Sequence, residues 1–407
     1  MTQAQPHPGI HRREFVAFVA AIMAVNALGV DLMLPALPAI GRDLGIPNAN
    51  ARQWIVTAYV FGFGVGQIAY GPLADRFGRK PVLLFGLAGF VGASLFAAGS
   101  ATFPALLAAR VLQGLMSAST RVLSVAIVRD SYSGRRMARI QSLAQMIFFL
   151  IPILAPSLGQ GLLAIGPWRF VFYALGGFAA FVLAWALARL PETLPVERRR
   201  PISFASLAQA YKLTLTNRYS IGYAVAGSMT FGGIIAFVSS AQQVFVDTFH
   251  AHNFPVLFAL CAFSMGCASF ANSRLVERLG TRLISQAALL ALVALSVGHI
   301  LIARAGVETL WSYLLFQALS MTCIGLCGSN FGAMAMEPVG GVAGTASSVQ
   351  GFVTSVGAVL VGSLIGQAYD GTTMPLAVGY LCIGLGALAV VLVVEGGKLF
   401  QARMAHG

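Results

Sequence analysis

The segment Gly71-Pro72-Leu73-Ala74-Asp75-Arg76-Phe77-Gly78-Arg79-Lys80 has a counterpart in Ser273-Arg274-Leu275-Val276-Glu277-Arg278-Leu279-Gly280-Thr281-Arg282. Acid, arginine, apolar residue and glycine recur in register at an offset of 202 positions, close to half of the 407-residue chain. Each copy follows the second long apolar run of its half. The chain therefore reads as two related halves, and parallel repeats of this kind place a substrate site near the middle of the membrane, at the interface of the halves.

Outward from these segments the sequence is a series of apolar runs. A helix needs about 20 apolar residues to cross the hydrocarbon core. Such runs lie near residues 15–40, 53–74, 81–100, 103–128, 138–165 and 168–190, then near 219–246, 254–273, 282–303, 308–334, 342–367 and 373–395. The longest polar stretch, 191–218, separates the two sets and contains Glu197, Arg198, Arg199 and Arg200. The expected fold is an all-α membrane protein of twelve transmembrane helices in two six-helix pseudo-symmetric halves. These are residues 1–190 and 219–407, joined by a cytoplasmic linker, 191–218. Composition agrees: 57% of residues are hydrophobic and 10% charged, with a mean hydropathy of +0.80. A soluble chain of this size would need far more charge on its surface. The 45 glycines suit helices that pack closely in lipid.

The net charge of +13 raises nucleic-acid binding as a reading. The basic residues instead recur in short loops, which is a membrane-topology pattern. With a cytoplasmic N-terminus, 20 of the 26 Lys and Arg fall on the cytoplasmic side, Arg12, Arg13, Arg76, Arg79 and Lys80 among them. Four (Arg42, Arg52, Arg169, Arg304) fall on the opposite side, and Arg110 and Arg121 lie within a span. Both termini are thus expected inside, and the apolar run after Arg13 is too long for a signal peptide. Cys261, Cys267, Cys323, Cys327 and Cys382 all fall in apolar runs, an odd and dispersed set that argues against a disulfide framework. No metal-ligand spacing, nucleophile triad or nucleotide-binding loop is visible, so the chain is not expected to be an enzyme or to use a cofactor. His299 reads as a lone structural residue.

On these residues the sequence resembles a major facilitator superfamily transporter along nearly its whole length. Gly71 to Lys80 matches the loop signature of that superfamily. Arg110-Val111-Leu112-Gln113-Gly114 resembles its proton-coupling motif. Pro152-Ile153-Leu154-Ala155-Pro156-Ser157-Leu158-Gly159-Gln160-Gly161 resembles its antiporter motif, with Gln160 where that motif usually has glycine. Asp31-Leu32-Met33-Leu34-Pro35-Ala36-Leu37-Pro38 and Gly344-Thr345-Ala346-Ser347-Ser348 are similar to the bicyclomycin/chloramphenicol-resistance type of drug:proton antiporter. The resemblance implies proton-coupled efflux of small lipophilic or amphipathic compounds from a bacterial inner membrane, by a monomer. Its partners would be the lipid bilayer, a small-molecule substrate and protons, without nucleic acid. Export of one metabolite, such as a sugar or amino-acid derivative, is the alternative, and a non-transporting sensor is a third reading.

Charges inside a span are costly and functional by default. Three stand out: Asp31, Arg110 and Arg121. Asp31 and Arg110 lie at similar depth, so an ion pair is geometrically open to them. A carboxylate there can exchange a proton as water access, or its distance from Arg110, changes. Arg121 follows Arg110 by 11 residues, about 20° out of phase on the helix. It could line an inner vestibule or snorkel to the cytoplasmic surface. The loop signature implies a cytoplasmic gate of Gly71, Asp75, Arg76, Gly78, Arg79 and Asp130, with Arg79 pairing Asp130 and Asp75 facing a helix N-terminus. Pro152, Pro156, Gly159 and Gly161 are expected to interrupt helix bonding and let neighbours approach. Asn26, Tyr59, Gln113, Arg121, Gln242, Gln243 and Asn330 are candidate polar groups of a substrate cavity.

Overall fold

Every regular element among the described residues of the computed structural model (11–132, 134–199 and 204–400) is helical. Arg200 and Arg403 lie outside the described residues. The chain divides into unit 1, Met1–Ala208, and unit 2, Gln209–Gly407. Unit 1 contains α1 (Arg12–Asp31), α2 (Leu37–Asp43), α3 (Trp54–Phe77), α4 (Arg79–Ala98), α5 (Phe103–Ser131), α6 (Gly134–Ile165) and α7 (Arg169–Arg189). A further helix, α8 (Phe204–Thr216), gives regular structure to part of the polar stretch 191–218. Unit 2 contains α9 (Arg218–Gln242), α10 (Phe254–Leu279), α11 (Thr281–Arg304), α12 (Leu310–Met336), α13 (Ala343–Gln367) and α14 (Met374–Val394).

The same helix pairings build each unit. In unit 1, α3 packs on α5, α4 on α5 and α7, and α1 on α5, α6 and α7. In unit 2, α10 packs on α12, α11 on α12 and α14, and α9 on α12, α13 and α14. The repeat in the sequence is therefore a repeat in packing.

Among the described residues, ten stretches are long and apolar enough to cross a membrane, and α6 adds the shorter apolar piece Leu150–Ile165. The helix α3 falls outside the ten. Thr57, Gln67 and the glycines at 62, 64, 66 and 71 dilute the hydropathy of α3. Both helices are nonetheless long, 24 and 32 residues, or about 36 and 48 Å. The glycines of α3 serve packing. A Cβ on Gly62 would stand 2.0 Å from the Val111 carbonyl, and one on Gly114 of α5 would stand 1.9 Å from the Tyr59 carbonyl. Only hydrogen fits where these backbones touch.

The first apolar run is interrupted rather than continuous. α1 ends at Asp31, a short 3-10 turn covers Leu34–Ala36, and α2 starts afresh. Pro35 and Pro38 each stand in the first turn of the next short helix, where the missing N–H costs nothing. Gly159 of α6 closes on this interruption, since a Cβ there would lie 2.0 Å from the Leu32 carbonyl. α6 is continuous through Pro152 and Pro156, although each proline lacks the N–H that would bond to the preceding turn. Gly161 departs from expectation, because a Cβ added there would meet no atom within 4 Å. Gly114→Ala should lower the unfolding free energy by about 1–3 kcal/mol through overpacking. Gly161→Ala should stay within about 0.5 kcal/mol of wild type, and thermal melts in detergent compare the two.

Candidate functional site

A polar network crosses the interior of unit 1. Arg110 has no exposed surface, so its guanidinium must be satisfied by protein. Its Nε donates to the Ile55 carbonyl at 3.0 Å, one terminal nitrogen to the Gly29 carbonyl at 2.7 Å, and the other to Gln113 Oε1 at 2.7 Å. The cation lies 4.4 Å from the centre of the Tyr59 ring and 5.9 Å from that of Phe172. Gln113 passes the chain on, donating through Nε2 to Ser94 Oγ of α4 at 2.7 Å. Tyr59 donates its hydroxyl to Asn26 Oδ1 at 3.1 Å, and Ser117 donates to the same oxygen at 3.3 Å. Four helices, α1, α3, α4 and α5, are thereby tied at one level.

Asp31 stands at the edge of this network and outside its bonds. It is 5% exposed, and among the described residues its carboxylate has no hydrogen bond and no ion pair. The Asp31–Arg110 pair that similar depth left open does not form. The physical reason is that Arg110 is already supplied by two backbone carbonyls and an amide oxygen, at less desolvation cost than a second buried ion.

The polar candidates divide accordingly. Asn26, Tyr59 and Gln113 belong to the Arg110 network. Arg121 is exposed and stands ten residues before Ser131, the end of α5. Asn330 donates to Asn272 Oδ1 at 2.9 Å and to the Leu326 carbonyl at 2.8 Å. Gln242 and Gln243 are buried at the joint between α9 and a π-helical turn, Gln243–Thr248, and the Tyr369 hydroxyl donates to the Gln243 carbonyl at 3.3 Å.

A second cluster forms around the loop signature. α3 and α4 are separated by Gly78 alone, at φ +100°, and α10 and α11 by Gly280 alone, at φ +77°. That region of φ favours glycine. Arg79, 4% exposed, donates to Asp130 at 2.9 Å and to Asp75 at 2.6 Å. Asp75 is therefore engaged by Arg79 one helical turn on, while Arg76 is exposed and lies 5.2 Å from the ring centre of Phe77. Gly71 lies within α3, beside Pro72.

Sequence reading missed Glu192. Its carboxylate accepts from the backbone N–H of Arg79 at 2.8 Å and of Lys80 at 3.3 Å, capping the N-terminus of α4. A Cβ on Gly78 would meet this carboxylate at 2.3 Å. In unit 2 the acid at the corresponding place after the last helix, Glu395, accepts from Arg282 at 2.9 Å and from the Tyr223 hydroxyl. The repeat offset could have flagged both acids, which are 203 positions apart. His299 is not lone: Nε2 lies 2.7 Å from Glu308, which also accepts from Thr373 at 2.5 Å. Cys267 and Cys382 are exposed on their helices, whereas Cys261, Cys323 and Cys327 are buried.

Two helical units of matching internal packing, long apolar helices, and ionised side chains sunk within a span define a multi-pass membrane transporter. The sequence profile of the Major Facilitator Superfamily matches residues 19–362, and the chain belongs to that family. It is 29% identical over 387 residues to a bicyclomycin resistance protein homolog of Haemophilus influenzae, covering 93% of this chain and 94% of that one. It is 28% identical over 390 residues to the multidrug resistance protein MdtL of Klebsiella pneumoniae, covering 94% and 95%. In fold it is similar to a D-xylose-proton symporter, with a TM-score of 0.75 at 14% identity over 96% of this chain and 99% of that one.

The cluster at the helix turn separates a buried ion pair from an exposed one. Asp130→Asn leaves the buried Arg79 short of its shielded partner and should cost about 3 kcal/mol. Asp75 has a side chain 50% exposed, so Asp75→Asn should cost about 0–1 kcal/mol. Unfolding of the two variants in detergent measures the difference.

Proposed function

We propose that this transporter is a proton-coupled exporter of small lipophilic or amphipathic compounds, drugs included, that works by alternating access. The observation that carries the reading is Asp31, buried and without a hydrogen-bond or ion-pair partner among the described residues. An ion stripped of both water and donors is costly. The charge on Asp31 is thus coupled to whether its surroundings are wet, and a site that opens and closes exchanges a proton in each cycle. The interruption after Asp31 and the close approach of Gly159 support a position that responds to movement of α6 against α1. Arg110 fixes the neighbouring frame by tying Gly29, Ile55 and Gln113 together. Compounds that compete with the proton for the same open state are driven out by its inward flow.

The names of the H. influenzae and K. pneumoniae relatives, bicyclomycin and multidrug resistance, favour drugs among the cargo. The loop charges favour a bacterial inner membrane with both termini in the cytoplasm. On that topology the cluster of Gly71, Asp75, Arg76, Gly78, Arg79 and Asp130 lies on the cytoplasmic side. It acts there as a gate, breaking and re-forming its ion pairs as the site changes access. Pro152, Pro156, Gly159 and Gly161 give α6 its freedom to bend, and the chain acts as a monomer.

Proteoliposomes with an imposed pH gradient test the coupling. Wild type should accumulate a substrate such as chloramphenicol against its gradient, and Asp31→Asn should lose at least tenfold of that uptake while retaining exchange without a gradient. Unchanged gradient-driven uptake in Asp31→Asn would sink the assignment.

A further inference from the structure

Arg110 and Arg121 share one face of α5, yet their surroundings are opposite. Arg110 is fully buried and every guanidinium nitrogen has an acceptor. Arg121 is exposed. Among the described residues its side chain has no hydrogen bond and no ion pair. All 13 Asp and Glu of the chain lie within the described residues, and none of them pairs with it.

Arg121 stands ten residues before the end of α5, about 15 Å along the axis. A charge within a span normally faces the interior or a water-filled route and meets a counter-charge. Here the protein supplies none. The next residues along the same row are Val125, 38% exposed, and Arg129, with a side chain 51% exposed. Spaced four apart, they lie nearly in line on the helix. The row thus offers an unpaired cation and then an apolar contact, followed by Arg129, whose Nε lies 3.9 Å from Asp130.

We propose that Arg121 is a substrate-binding residue for an oxyanion, and that this exporter carries amphipathic acids: an apolar body bearing a carboxylate, sulfonate or phosphate. The guanidinium fork accepts such a group through two parallel hydrogen bonds. Val125 receives part of the apolar body. The assignment rests on the export reading above for its biological sense, but binding can be measured apart from transport. Asp31 handles the proton and Arg121 the cargo, so the two charges have separate tasks.

Pyrenebutyrate and its methyl ester differ only in the anionic group. Binding of each is measured by fluorescence to purified protein in nanodiscs, in chloride-free buffer, with empty nanodiscs subtracted. Wild type should bind the acid at least tenfold more tightly than the ester. Arg121→Gln should bring the two within twofold by weakening the acid alone, and Arg121→Lys should keep part of the preference. Thermal melts confirm that each variant is folded. Absence of a preference in wild type overturns the proposal, as does a preference that survives Arg121→Gln or a loss of both ligands together. Gradient-driven transport of the acid is read separately. If wild type binds it selectively but a pH gradient does not move it, proton coupling falls and the anion site stands.

Discussion

Lipid offers no hydrogen bonds, so every ionised group within a span must be solvated by the protein or by water the protein admits. Unit 1 answers this constraint in three ways. Arg110 is solvated by the fold itself, through two main-chain carbonyls and a glutamine that is in turn held by Ser94. Because those carbonyls belong to α1 and α3, the arginine fixes the spacing of the helices around it. Asp31 has no such shell, and Arg121 lacks a counter-charge. The contrast separates a charge solvated by the fold from two that have no bonded partner among the described residues.

Close packing is what makes the first solution accessible. An arginine can reach the backbone carbonyls of neighbouring helices only if those helices approach nearly to contact. Gly62, Gly66 and Gly114 let α3 and α5 do so, and Gly29 gives the Tyr59 hydroxyl room beside α1. The same glycines make α3 look less apolar than a membrane helix usually does. Low hydropathy and central position thus have one cause.

The tight turns carry a different economy. With Gly78 and Gly280 as the sole links between consecutive helices, the N-termini of α4 and α11 are left with N–H groups that no preceding loop can satisfy. In unit 1 an acid from beyond the last helix, Glu192, returns to supply that need. In unit 2 the corresponding Glu395 reaches the side chain of Arg282 instead. Similar positions have thus diverged in detail while both keep the end of the sixth helix attached to the second turn of the unit.

Much of the architecture was legible in the amino-acid order because a bilayer enforces it locally. Run lengths mark the spans, basic loops mark the sides, and the signature at Gly71–Lys80 with its counterpart marks the repeat. Arg79 and Asp130 were readable as partners through the resemblance of Gly71–Lys80 to the superfamily loop signature. The partners of Arg110 were not readable, because two of them are main-chain carbonyls, which every residue possesses and no residue type advertises. Nor could the sequence show that Asp31 stands beside that shell rather than within it, or that Arg121 is exposed. Those outcomes depend on helix rotation and on distances of a few ångströms between segments far apart in the chain. Length and polarity are properties of a stretch, whereas solvation of a buried charge belongs to the whole packed bundle, and only the tertiary structure decides it.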